Sequence, residues 1–281
     1  MQNNEFYIQG GSGHQLFLKS WTPATEPEAV VAIMHGLGDH INRYEDFAGY
    51  LTSHGIAVIG IDLPGHGRSS GKRGHISGYP WTIDVVQQLM LETRRRFNDI
   101  PIIIYGHSLG GNFVLRYVLH HTSKEIKGVI ASSPWLHPTI TWAQWKDFFI
   151  RFAGKIFPYF VLPLDLDPME LSRDPATRKN FLEDGLVHDR ISIRLYRDLY
   201  KSSRWILENV KRMPYPILIM HGREDRITSV HASVELADKI PSGVNLKIWE
   251  GMRHELHHEK SKLHVWDYII SWIKGILDKT G

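Results

Sequence analysis

The sequence predicts an α/β fold: an eight-stranded, mostly parallel sheet flanked by helices, with a helical segment inserted late in the order. Three observations carry this expectation. Short apolar runs alternate with longer segments of helical periodicity, the pattern of parallel strands joined by crossover helices. At 281 residues the chain suits one such domain with a modest insertion better than two independent domains. The alternation fails in one region only, between about residues 135 and 210.

The strands are expected at 6–9, 16–21, 30–35, 57–61, 102–105, 128–132, 217–221 and 246–249. Each is a short run rich in Val, Ile, Leu or aromatic residues, bounded by Gly, Pro or polar residues. The first two read as an antiparallel hairpin, because Gly10-Gly11-Ser12-Gly13 between them is a turn composition. Helices are expected at 43–54, 81–97, 111–120, 230–239 and 262–276, where apolar residues recur at three-and-four spacing.

Residues 1–134 and 211–281 are read as the core, and 135–210 as a helical cap without strands. Between Trp135 and Phe160 there are nine aromatic residues in 26. Trp142, Trp145, Phe149, Phe152 and Ile156 share one face of a helix. Such a cluster, interrupted by Pro158, Pro163 and Pro168, fits an apolar roof over a pocket, although packing on the core accounts for any single member.

Composition excludes several functions. The formal charge is +3, from 33 basic and 30 acidic side chains, too balanced for nucleic-acid binding. Arg94-Arg95-Arg96 reads as the solvated end of a helix. With no cysteine, disulfides, thiolate catalysis and Cys-based metal sites are ruled out. The polar start, Met1 to Glu5, lacks a signal peptide's pattern, and no run of 18 apolar residues occurs. A cytoplasmic protein, peripheral to membranes at most, is the expectation; the aromatic helix is compatible with shallow insertion at an interface.

The chemistry centres on Gly106-His107-Ser108-Leu109-Gly110-Gly111, which lies between the run 102–105 and a helical stretch. A serine on a sharp strand-to-helix turn has its Oγ lifted clear of the backbone, and flanking glycines leave room for that turn. Serine at neutral pH needs a base and a carboxylate that orients the base. After the run 217–220 comes His221-Gly222-Arg223-Glu224-Asp225, and after 246–249 comes Glu250-Gly251-Met252-Arg253-His254. Ser108, Asp225 and His254 thus follow in the order that this architecture demands. Asp225 is preferred to Glu224 by the Gly-x-x-Asp turn. His254 is preferred to His257 and His258 because it comes first after strand and glycine. Leu37, in the turn His35-Gly36-Leu37-Gly38-Asp39, and Leu109, after the serine, are the expected oxyanion donors through their backbone amides. His35 reads as a structural residue of that turn.

His254-Glu255-Leu256-His257-His258 also spells H-E-x-x-H, with His264 at the spacing of a third zinc ligand. Ser261 stands where that pattern needs glycine, no methionine follows Met252, and His254 falls before the helix. The metal reading is disfavoured, and no cofactor is expected.

Together with Arg43-Tyr44, Asp62-Leu63-Pro64-Gly65-His66-Gly67-Arg68-Ser69, Leu171-Ser172-Arg173-Asp174-Pro175 and Leu186-Val187-His188, these motifs resemble the monoacylglycerol lipase and lysophospholipase group of α/β-hydrolases over residues 6 to 275. Gly185 departs from the group's usual proline. The resemblance implies a serine hydrolase of fatty-acid esters, with a small lipid ester as substrate and a non-lipid carboxylesterase as the alternative. It implies that Asp39, Arg43 and Tyr44 support the oxyanion loop or the alcohol end of the pocket; capping and packing the helix that begins there is the equal alternative. Trp135, Trp142, Trp145 and Phe149 are the expected acyl-side contacts. A silent scaffold of the same fold is the reading from another class, disfavoured because all three chemical groups are present.

Overall fold

The computed structural model describes residues 1–11, 13–76, 78–137 and 157–280. The main sheet comprises β1 (Gln2–Gln9), β2 (Gln15–Thr22), β3 (Ala29–Met34), β4 (Ile56–Ile61), β5 (Ile102–His107), β6 (Ile126–Ser132), β9 (Ile217–Gly222) and β10 (Val244–Trp249). Their spatial order is β1-β2-β4-β3-β5-β6-β9-β10. β2 runs antiparallel to both neighbours, and every other pairing is parallel. All eight predicted strands are present, several extended by one to four residues, and the hairpin pairs Gln9 with Gln15 across the glycine turn.

Central strands are buried on both faces, which is why they read as continuous apolar runs. In β5, Ile102 and Ile104 pack on one side of the sheet while Ile103 and Tyr105 pack on the other. The first side is covered by α2 (Tyr79–Arg96) and α3 (Leu109–Val118), the second by α1 (Glu45–Ser53) and α8 (Lys262–Thr280). α7 (Val230–Asp238) starts at Ser229, whose side chain accepts the Ala232 amide, a regular N-cap.

Between β6 and β9 the described residues add no strand to the main sheet. They form α4 (Pro168–Leu171) and α5 (Pro175–Glu183), each capped by an aspartate before proline, and then α6 (Ile193–Asn209), capped by Ser192. The expectation of no strand here is corrected: β7 (Val161–Pro163) and β8 (Arg190–Ser192) pair antiparallel. Three residues are too few for a period-2 pattern to stand out. The stripe containing Trp142, Trp145 and Phe149 lies outside the described residues.

β4 packs on one side of β3 and β5 on the other. The direction of winding therefore reverses between β3 and β5, and the loops after those two strands flank a natural crevice. The His35–Asp39 turn and Ser108 stand there.

Candidate active site

Ser108 joins β5 to α3 with φ 52° and ψ −114°, a left-handed conformation costly for a residue with a side chain. The turn is held from several sides. The Ser108 amide donates to the Ser132 carbonyl (3.0 Å), and the Ser108 carbonyl accepts from Asn112 (3.1 Å) and Trp135 (2.9 Å). Close packing explains the second glycine: a Cβ at Gly110 would overlap the carbonyl oxygen of Met34. Leu109 is the first residue of α3, so its amide is one of the helix's donors without an intrahelical acceptor.

Asp225 and His254 lie on the loops after β9 and β10, and the structure brings them together: His254 Nδ1 donates to Asp225 Oδ2 at 2.7 Å. The carboxylate collects four further donors. Oδ1 accepts the Ile227 and Thr228 amides at 2.8 and 3.0 Å, while Oδ2 accepts the Thr228 hydroxyl at 2.9 Å and faces His221 Nε2 at 3.0 Å. Burial alone would raise its pKa, but His254 and the hydrogen bonds from His221 outweigh burial and hold it far below the ordinary carboxylate range. Glu224, the alternative acid, is exposed.

Ser108 and His254 line one narrow cleft, together with Gly36, Leu37 and Trp135. Leu166, Leu171 and Phe181 from the insertion form the apolar side. Asp39 and Arg43 also border the cleft. Tyr44 does not reach it: the ring is fully buried, stacked on His257, with its hydroxyl 3.2 Å from Asp39 Oδ2. His35 joins two loops, its Nδ1 donating to the Gly36 carbonyl at 2.8 Å and its Nε2 accepting the Leu63 amide at 2.9 Å. Asp62 ties the next turn down by accepting the Ile41 and Arg68 amides, both at 2.7 Å.

Three residues of this neighbourhood, His221, Thr228 and His107, have no role in the expectations from sequence, and a fourth, Glu255, has a different one. His221 is a second imidazole on Asp225. Thr228 gives that carboxylate two donors. His107 is buried against His254 and His257, and burial, reinforced by His254, lowers its pKa to about 3. Glu255 is considered in the sequence only as part of H-E-x-x-H. Here it is 3% exposed and joined to Arg43 by two hydrogen bonds, 2.9 and 2.7 Å. The metal pattern dissolves in three dimensions: His254 precedes the 3₁₀ turn Leu256–His258, and the His258 ring faces Glu255 and the Arg43 carbonyl. Among the described residues no group of three or more potential ligands converges.

A sheet of this order with a strained serine between β5 and α3 is the α/β-hydrolase fold, and the chain is a serine ester hydrolase. It belongs to the family described as Hydrolase_4, serine aminopeptidase S33, which matches residues 25–261. It is 35% identical over 261 residues to an abhydrolase domain-containing protein of Dictyostelium discoideum, covering 92% of this chain but only 28% of that longer relative. It is 29% identical to a monoacylglycerol lipase of Mycolicibacterium smegmatis, with 96% of each chain covered. The crystal structure of Paleococcus ferrophilus monoacylglycerol lipase superposes with a TM-score of 0.83 at 30% identity, covering 94% of this chain and 98% of that one.

Proposed function

We propose that this chain hydrolyses long-chain monoacyl esters, monoacylglycerols first among them, through an acyl-enzyme on Ser108. His254 takes the Ser108 proton as Oγ attacks the ester carbonyl, and the Leu37 and Leu109 amides receive the oxyanion. The same proton then passes from His254 to the departing alcohol. Water, deprotonated by His254, attacks the acyl-enzyme and releases the fatty acid, and Ser108 regains its proton. Asp225 orients the imidazole throughout. The observation that carries this reading is the buried 2.7 Å Asp225–His254 hydrogen bond beside the cleft that Ser108 shares.

Residues 135–210 act, in this proposal, as a cap over the acyl chain. Leu166, Leu171 and Phe181 supply its apolar lining, and each methylene buried there contributes about 0.8 kcal/mol. Phe157 and Tyr159, each 62% exposed, suit transient contact with a lipid surface. An aminopeptidase reading is weaker. It needs an unengaged carboxylate for the substrate's ammonium group, and the two carboxylates on the cleft wall, Asp39 and Glu255, both hold Arg43.

The test is a hydrolysis panel of monoacylglycerols, lysophosphatidylcholine, short p-nitrophenyl esters and aminoacyl anilides, assayed as monomers and as dispersions. Monoacylglycerols are expected to lead, with rates rising with chain length and on dispersion. Ser108→Ala should reduce turnover by about 10⁴-fold or more. Undiminished turnover in Ser108→Ala would overturn the serine mechanism, and a leading anilide would overturn the ester assignment.

A further inference from the structure

One buried charge cluster stands outside the proposed mechanism. Arg43 follows the oxyanion turn directly, and its guanidinium is clasped by two carboxylates. Nη1 donates to Asp39 Oδ1 at 2.8 Å and to Glu255 Oε1 at 2.9 Å, and Nη2 donates to Glu255 Oε2 at 2.7 Å. The His258 ring closes the assembly. Its Nε2 donates to the Arg43 carbonyl at 2.8 Å, and its Nδ1 lies 2.9 Å from Glu255 Oε2. Asp39 and Glu255 are each 3% exposed, the Arg43 side chain is 9% exposed, and the Phe181 ring lies 5.4 Å from the guanidinium.

Stability alone gives no reason for such a cluster. Removing each charge from water costs several kcal/mol, and packed apolar side chains of similar volume commonly do as well. What apolar packing does not supply is a fixed relative position. A guanidinium accepts a carboxylate in one plane through two parallel bonds, so a bidentate pair sets both separation and orientation. The endpoints give that property a use: Asp39 is two residues after Leu37, and Glu255 is the residue after His254. Salt-bridge bonds to carboxylates occupy the fork, so Arg43 is poorly placed to offer its charge to an anionic headgroup. The ionised form of both carboxylates is favoured: against the upward push of burial, Arg43 brings Asp39 down to about 2 and Glu255 well below its ordinary value.

We infer that Glu255, acting through Arg43, is a positioning residue that holds the oxyanion loop and the His254 loop in register. This inference rests on the Ser108 mechanism proposed above. In the full chain, Glu255→Gln keeps the shape but loses the charge, and Arg43→Lys keeps the charge but loses the fork. Both variants and their double are titrated with a fluorophosphonate to count reactive serines, then assayed on p-nitrophenyl butyrate. Per titrated site, kcat is expected to fall by about 10- to 100-fold in either single variant, the scale of a misplacement near 1 Å, while KM stays within threefold. The double should fall no further than the worse single, because either change breaks the same link.

A purely structural role would lower the number of titratable sites and leave kcat per site unchanged, and that outcome overturns the inference, as does an additive double. If Glu255→Gln does not fold, Arg43→Lys alone decides by the same kcat criterion. Failure of the parent reading is distinct: the wild type itself would turn over ester without being titrated, and the positioning role would fall with it.

Discussion

At Ser108 the backbone is held where few side chains allow it, at φ 52°, and the surrounding hydrogen bonds keep it there. Strain of this kind costs about 1–3 kcal/mol and is tolerated where it presents a reacting atom. Asp225 shows the complementary logic, a buried carboxylate kept ionised by five converging donors. Asp225→Asn should lower kcat by roughly 10⁴-fold with little change in KM, because the amide no longer orients the imidazole; Glu224→Gln, at an exposed position, should match the wild type. Steady-state kinetics on both variants check this, and equal losses would mean the acid is misassigned. The Gly-x-x-Asp turn and the order along the chain favour Asp225 over Glu224 in the sequence, and in the structure it is Asp225 that meets His254. The sequence did not disclose His221 or Glu255. Their partners come from loops far away in sequence, and no local periodicity records which buried polar groups meet.

On the scale of elements, strands and helices of the core were legible because each repeats a pattern over many residues. The short β7–β8 ribbon was not, having only three residues per strand. Contacts between elements were also hidden. Asn112, in the middle of α3, reads as an ordinary polar residue of a helix, yet it is fully buried. Its Nδ2 donates to the Trp135 carbonyl at 2.8 Å and to Ser203 Oγ at 3.0 Å, and its Oδ1 accepts from Ser202 Oγ at 2.6 Å. This one amide joins the elbow helix to α6 and to the loop that carries Trp135. Asn112→Ala should destabilise the fold by about 2–4 kcal/mol, since three hydrogen bonds vanish from a site that water does not reach. Urea denaturation measures it, and a cost under about 0.5 kcal/mol would show the junction to be held by packing alone.

The whole molecule carries an unusual store of buried imidazoles. His35, His66, His107 and His257 are all depressed below the ordinary histidine value, first of all by burial, His107 to about 3. Their sign is common: below pH about 6.5 the unfolded chain binds protons that the folded chain refuses, so stability is full above that pH and falls as pH drops. Each such group contributes a slope of about 1.4 kcal/mol per pH unit. Asp39 continues the loss at lower pH, from about 4 down to about 2, whereas Asp62, raised by burial, works the other way. The urea midpoint should therefore fall steeply between pH 6.5 and pH 5; a flat midpoint over that range would mean these rings are hydrated or protonated in the native state. Seventeen histidines could be counted in the sequence. Which of them are sealed away depends on the packing of distant segments.

The segment 184–188 reaches across from the insertion to the His35–Asp39 turn and the residue after it. The His188 amide donates to the Gly38 carbonyl at 3.0 Å, and Asp184 meets His40 Nε2 at 2.8 Å. Gly38, at φ 71°, has no space for a methyl group, because a Cβ would strike the His188 carbonyl oxygen. Displacing this segment would therefore remove a hydrogen bond from the turn whose Leu37 amide, in the proposed mechanism, receives the negative charge.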